Sequence, residues 1–162
     1  MASCVVPLDK THDVKSFECA SPELTQWLQT IARQHQEKSL SKTFVLVDDN
    51  SPETIIGFYA LAIRGIVTRE TLPPALAKKF PSKVPGFTIA RLAITSGASG
   101  QGLGGELLVD AMRRAKQVSE QAGGPFLFVD AKDEEAAAFY KHFGFVPLPD
   151  DPLTLVIPMS II

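Results

Sequence analysis

The segment Gly100-Gln101-Gly102-Leu103-Gly104-Gly105 constrains this chain more than any other. An apolar run, Phe87 to Ile94, precedes it and reads as a buried strand. A helical pattern follows, with Leu103, Leu107, Leu108, Ala111, Met112, Ala115 and Val118 on one face. A strand, a glycine-dense turn and a helix start together make an anion site. Glycines let backbone N–H groups approach a phosphate closely, and the helix N-terminus adds unpaired donors and partial positive charge. A tight turn alone needs glycine only for its φ freedom, and four glycines in six residues exceed that need.

Read literally, Gly100-x-Gly102-x-x-Gly105 fits a dinucleotide fingerprint, with Asp130 at the end of the strand Phe126–Val129 as the ribose-binding acid. Two features weigh against it. The motif lies past mid-chain, with too little sequence after it for a second βαβ half. Thr95 to Ser99 also separate the turn from its strand.

The rest of the chain alternates strands and helices. Ser21 caps and Pro22 opens a helix reaching about Gln34, whose Leu24, Trp27, Leu28 and Ile31 form a core stripe. Strands at 43–48 and 54–63 form a hairpin through the turn Asp48–Pro52. From Thr68 to Pro85 an irregular connection carries one short helix, about Pro74 to Phe80. Gly123-Gly124 ends the long helix, and Asp133 to Phe143 make another with Ala136, Phe139, Tyr140 and Phe143 on one face. A strand starts at Phe145-Val146, and Leu153 to Pro158 form the last one. The expected fold is α+β, a mixed sheet flanked by helices in a single domain spanning 1–162.

Arg91-Leu92-Ala93-Ile94, then Gly100-Gln101-Gly102-Leu103-Gly104, then Ala136-Ala137-Ala138-Phe139-Tyr140 and Phe143-Gly144-Phe145 resemble the GNAT family of acetyl-CoA-dependent N-acetyltransferases in order and spacing. With Leu8–Cys19, Thr43-Phe44-Val45 and Ile56–Ala62, the chain is similar to the GNAT toxins of type II toxin–antitoxin pairs, the TacT-like group. The resemblance implies a mostly antiparallel sheet splayed between its central strands. It also implies a cytoplasmic enzyme that acetylates the α-amino group of aminoacyl-tRNA and blocks translation. Its implied partners are a small ribbon-helix-helix antitoxin of the DUF1778 type and a second copy in a homodimer. Where the broad family opens its glycine motif with Gln or Arg, this chain has Ser99. A GNAT enzyme acting on a small amine or a protein or peptide amine, and an acetyl-CoA-binding protein without transfer activity, remain as alternatives.

The resemblance also distributes roles. Acetyl-CoA lies with its pyrophosphate over Gly100, Gln101, Gly102, Leu103, Gly104 and Gly105, its pantetheine pairing with the backbone of Leu92, Ala93 and Ile94, and Phe139 beside it. Tyr140 is the general acid for the departing thiolate, with Tyr59 and His142 as structural bystanders. Arg91 contacts substrate RNA or else makes a surface salt bridge. No Glu or His stands out as a base. A lysine amine, pKa about 10.4, needs one far more than an α-amino group at about 7.7–8.0.

Composition excludes several classes. Three scattered histidines make a metal site unexpected, and Cys4 and Cys19 lack metal-ligand spacing and read as free thiols. No apolar run is long enough to cross a bilayer, so no membrane partner is expected. The net charge of −2 hides an asymmetry: residues 33–91 hold nine Lys/Arg against five acids. An ordinary solvated surface accounts for this, and an RNA-facing one is compatible with it but not shown by it.

Overall fold

The computed structural model describes residues 2–162. Seven strands are present among the described residues: β1 (Ser3–Pro7), β2 (Lys42–Asp48), β3 (Ser51–Thr68), β4 (Lys83–Ile94), β5 (Phe126–Asp130), β6 (Val146–Leu148) and β7 (Asp151–Pro158). They join in the order β1-β2-β3-β4-β5-β7-β6. The helices are α1 (Pro22–Thr30), α2 (Ala32–Glu37), α3 (Pro74–Ala77), α4 (Leu103–Ala122) and α5 (Glu134–His142). The sheet is mixed. β1/β2, β2/β3, β5/β7 and β6/β7 run antiparallel, whereas β4 and β5 run parallel. The parallel ladder runs from Gly86↔Phe126 to Ile89↔Val129, and β4 then continues to Ile94.

The chain packs as two compact units. The first comprises residues up to Ala62 with Ala90–Ala111. Its core gathers Leu8, Phe17, Trp27, Leu28, Val45, Phe58 and Ala93. Trp27 stacks on Phe58 at 6.0 Å, so the expected core stripe of α1 is a core stripe. The Ser21 hydroxyl accepts from the Leu24 N–H at 3.3 Å, and Pro22 opens the helix as expected. The single helix expected to Gln34 is instead two. Ile31, at φ −118°, breaks it after the β-branched Thr30, and α2 resumes at Ala32. Arg33 of α2 donates to the carbonyls of Asp9 and His12, at 2.9 and 2.8 Å. β1 is unanticipated, and the hairpin turn is tighter than expected, with Asp48 already opposite Ser51.

The second unit comprises Ile63–Ile89 with Met112–Ile162, around Leu72, Val84, Phe126, Phe128 and Val156. β4 begins at Lys83, before the expected Phe87. Pro85 hides this start from a sequence reading, yet it sits at an exposed position between the buried Val84 and Gly86. α3 stops at Ala77, short of the expected Phe80, whose ring packs on Phe126 at 4.9 Å. β3 runs past the expected residue 63 to Thr68, and β7 starts at Asp151. α4 ends where Gly123 and Gly124 take φ of +86° and +95°, as the glycine pair predicts. Val118 falls outside the buried face assigned to it: it lies at the margin of the stripe and is 37% exposed.

Candidate active site

In the first unit the candidate coenzyme residues form a continuous segment. Ala93 and Leu103 are buried, and Arg91, Leu92, Ile94, Gly104 and Gly105 are half-buried. Gly100, Gln101 and Gly102 are exposed. The segment is anchored at its start: the Thr95 N–H donates to the Ile56 carbonyl at 2.7 Å, and the Ser96 N–H to the Glu18 carbonyl at 2.9 Å. A 3₁₀ turn at Ser96–Ala98 follows, closed by the Ser99 hydroxyl donating to the Ser96 carbonyl at 3.0 Å. Ser99 thus spends its side chain on the loop itself.

Gly100 and Gly102 hold φ of +82° and +75°, where a side chain is strained. Gly104 and Gly105 lie inside the first turn of α4. The glycines therefore divide the work, two reversing the chain and two keeping the helix start bare. The leading N–H groups of a helix have no partner within it. Aligned peptide dipoles make that end attractive to an anion.

Gly57 on β3 was noted in the sequence only as part of a strand, but its surroundings matter. A Cβ there would lie 2.6 Å from Ile94 Cδ1, 2.8 Å from Leu107 Cδ1 and 2.9 Å from the Ala93 carbonyl oxygen. The missing side chain lets β3, the end of β4 and α4 close on one another. Tyr59, two residues on, is fully buried and donates to Asp110 Oδ2 at 2.6 Å. It is structural, as expected. The Arg91 guanidinium lies 5.2 Å above the Trp27 ring, with Nη1 donating to the Ala90 carbonyl at 2.7 Å.

In the second unit the Asp133 carboxylate caps α5, accepting from the Ala136 N–H at 2.8 Å. The inward face centres on Ala137 and Tyr140, whereas the expected Ala136, Phe139 and Phe143 are half-buried. Phe139 meets Tyr140 and Phe143 edge-on at 5.3 and 5.2 Å. Burial, followed by the negative charge of Asp130, pushes the Tyr140 phenol up to about 12. The hydroxyl is therefore held in its protonated form at neutral pH. His142 is exposed.

Asp130 does not fit the role of a ribose-binding acid. Its two oxygens accept from Arg64 Nη1 and Nη2 at 2.9 and 3.1 Å. The Thr154 hydroxyl lies 2.9 Å from Oδ1. Arg64 in turn sits 4.9 Å above the Phe128 ring, with Nη1 3.3 Å from the Thr88 hydroxyl. Sequence reasoning missed this assembly because Arg64 and Asp130 are far apart in the chain. The one available signal was an acid at the end of a parallel-type apolar strand. Among the described residues no group of His, Cys, Asp and Glu could hold a metal. Among the described residues neither cysteine forms a disulfide, and no helix is long and apolar enough to cross a membrane.

Residues 39–147 match the acetyltransferase (GNAT) domain family. The chain belongs to the GNAT acetyltransferases. It is 37% identical over 153 residues, covering 94% of this chain and 90% of the relative, to a tRNA-acetylating toxin of Mycobacterium tuberculosis. It is 27% identical to a probable toxin TacT of Sinorhizobium fredii, covering 98% and 92% of the two chains. Among solved structures, AtaT complexed with acetyl-methionyl-tRNAfMet aligns over 99% of this chain and 96% of its own, with a TM-score of 0.90 and 30% identity. A tyrosine-to-phenylalanine variant of KacT aligns over 99% and 97%, with a TM-score of 0.92 and 26% identity. The GNAT fold with its mixed sheet, expected from the resemblance, is thus found.

Proposed function

We propose that this GNAT acetyltransferase moves the acetyl group of acetyl-CoA onto the α-amino group of an aminoacyl-tRNA. Its 37% identity to a tRNA-acetylating toxin across 94% of the chain carries the substrate assignment. The AtaT structure with acetyl-methionyl-tRNAfMet supports it, as does a further AtaT structure bound to its antitoxin and acetyl-CoA. The amine chemistry agrees. About a tenth of α-amino groups are neutral at pH 7, so attack requires no strong base.

In this reading the backbone amides of residues 100–105 hold the pyrophosphate, and the main chain of Leu92, Ala93 and Ile94 pairs with pantetheine as an added strand. Phe139 packs beside the coenzyme. Tyr140, whose buried phenol is protonated at neutral pH, gives its proton to the thiolate. Arg91 contacts the RNA. Residues 1–162 act as one catalytic domain, in the cytoplasm, as a homodimer. Acetylation blocks the amine needed for peptide bond formation and so arrests translation. A ribbon-helix-helix antitoxin of the DUF1778 type holds the enzyme inactive.

Mass spectrometry of bulk aminoacyl-tRNA after incubation with enzyme and acetyl-CoA tests the proposal. N-acetylated aminoacyl-tRNA is expected. Acetylation of a free small amine or a peptide with none on tRNA would overturn it.

A further inference from the structure

The loop between β4 and α4 has little of its own to hold it in place. From Ser96 to Gly102 every residue but Ala98 is exposed. A Cβ built at Gly97, Gly100 or Gly102 meets nothing within 4 Å. Its course is therefore set at its two ends. At the far end Leu103 is buried where α4 begins. At the near end Thr95 uses all three of its polar groups. Its N–H donates to the Ile56 carbonyl at 2.7 Å, and its carbonyl accepts from the Ala98 N–H at 3.1 Å. Its hydroxyl donates to the Glu18 carbonyl at 2.9 Å. Any residue but proline could make the first two bonds. Only the third needs the side chain.

The Glu18 carbonyl is a firm post for that bond. It also accepts from the Ser96 N–H, at 2.9 Å. The residues on either side of Glu18 are buried and tied to α1. The Phe17 carbonyl accepts from Gln29 Nε2 at 3.0 Å, and the Cys19 N–H donates to the Thr25 hydroxyl at 3.1 Å. Glu18 itself is exposed, so the Thr95 bond trades against water and adds little to global stability. Its effect is on where the loop starts.

We propose that the Thr95 hydroxyl is the positioning group for the coenzyme loop, tying the end of β4 to the segment before α1 so that the amides of residues 100–105 converge on the pyrophosphate. This rests on the reading that those amides hold the pyrophosphate. Backbone donors grip an anion only when they point at it together. Without the tie the loop must be ordered by the coenzyme itself, and that cost is subtracted from affinity.

The test compares two acyl donors by titration, acetyl-CoA and S-acetylpantetheine, which lacks the pyrophosphate. Wild-type protein is expected to bind acetyl-CoA more tightly. Thr95→Val keeps the side-chain shape and removes the donor. It is expected to weaken acetyl-CoA binding by about three- to tenfold, with S-acetylpantetheine affinity and melting temperature close to wild type. Thr95→Ser, which keeps the hydroxyl, is expected to restore the preference. Equal weakening for both donors would place the effect on the strand and overturn the inference. An equal loss in Thr95→Ser would do the same, because bulk and not the hydroxyl would then matter. Should Thr95→Val not fold, Thr95→Ala against Thr95→Ser makes the same comparison. If wild-type protein binds both donors alike, the pyrophosphate reading of residues 100–105 fails first and the inference with it. If wild type prefers acetyl-CoA and Thr95→Val prefers it to the same degree, the inference alone falls.

Discussion

Gly57→Ala offers the sharpest test of how the end of β4, the strand proposed to pair with the coenzyme, is positioned. The added methyl would meet Ile94 Cδ1 at 2.6 Å, Leu107 Cδ1 at 2.8 Å and the Ala93 carbonyl oxygen at 2.9 Å. The first two are side-chain ends, although Leu107 is fully buried with little room to turn. The third is backbone and moves only if β4 moves. Overpacking of this kind costs about 1–3 kcal/mol. At about 2 kcal/mol, a chain of this length loses roughly 4–8 °C in Tm. The strand that gives way includes Ala93 and Ile94, so acetyl-CoA should also bind more weakly. Gly97→Ala is the matched control, because nothing lies within 4 Å of a Cβ there. That variant should stay within about 0.5 kcal/mol of wild type. Thermal melts followed by circular dichroism and calorimetric titration with acetyl-CoA read both effects. A Gly57→Ala protein that melts and binds like wild type would refute the reasoning, as would equal damage from Gly97→Ala.

Tyr140→Phe should lower kcat by about 10²-fold or more while acetyl-CoA binding, followed by titration, is retained; wild-type turnover would remove Tyr140 from the mechanism. The Tyr140 proton is held to about 12 in the folded chain, against an ordinary 10.0. Its contribution to stability is therefore complete below about pH 10 and lost as pH rises from about 10 to 12, roughly 3 kcal/mol in all. Denaturant melts of wild type and Tyr140→Phe should converge across that window, and parallel curves would contradict the raised value. Asp133→Ala removes the cap on α5, where the carboxylate accepts from the Ala136 N–H at 2.8 Å. It should cost about 1 kcal/mol in a chemical melt.

Much of this architecture is legible in one sequence because local signals agree with the fold. Ser21-Pro22, Asp133 and Gly123-Gly124 mark helix ends through chemistry that acts within a few residues, and each lies where that chemistry places it. The glycine motif and Phe139-Tyr140 lead to the family because their order along the chain is itself the signal. What stayed hidden depends on distant partners. β1 is short and lacks a turn signal before it, and its pairing with β2 supplies what propensity does not. Pro85 masks the start of β4 because only the folded sheet reveals that it falls at an exposed position. Gly57 looked like an ordinary strand glycine until Leu107 and Ile94 closed on it. Nothing local joins Arg64 to Asp130, and their pairing appears only when β3 and β5 reach the same sheet.

The loop from Gly97 to Gly102 is shaped by backbone angles, not by packing, since no atom lies within 4 Å of a Cβ built at Gly97, Gly100 or Gly102. Its outward side chains, Gln101 foremost, can therefore drift through mutation while the amide positions stay fixed. Under the proposed assignment of this loop to the coenzyme, that grip is insulated from selection acting on the neighbouring surface. A lineage can retune which RNA it engages without relearning how to hold its acyl donor.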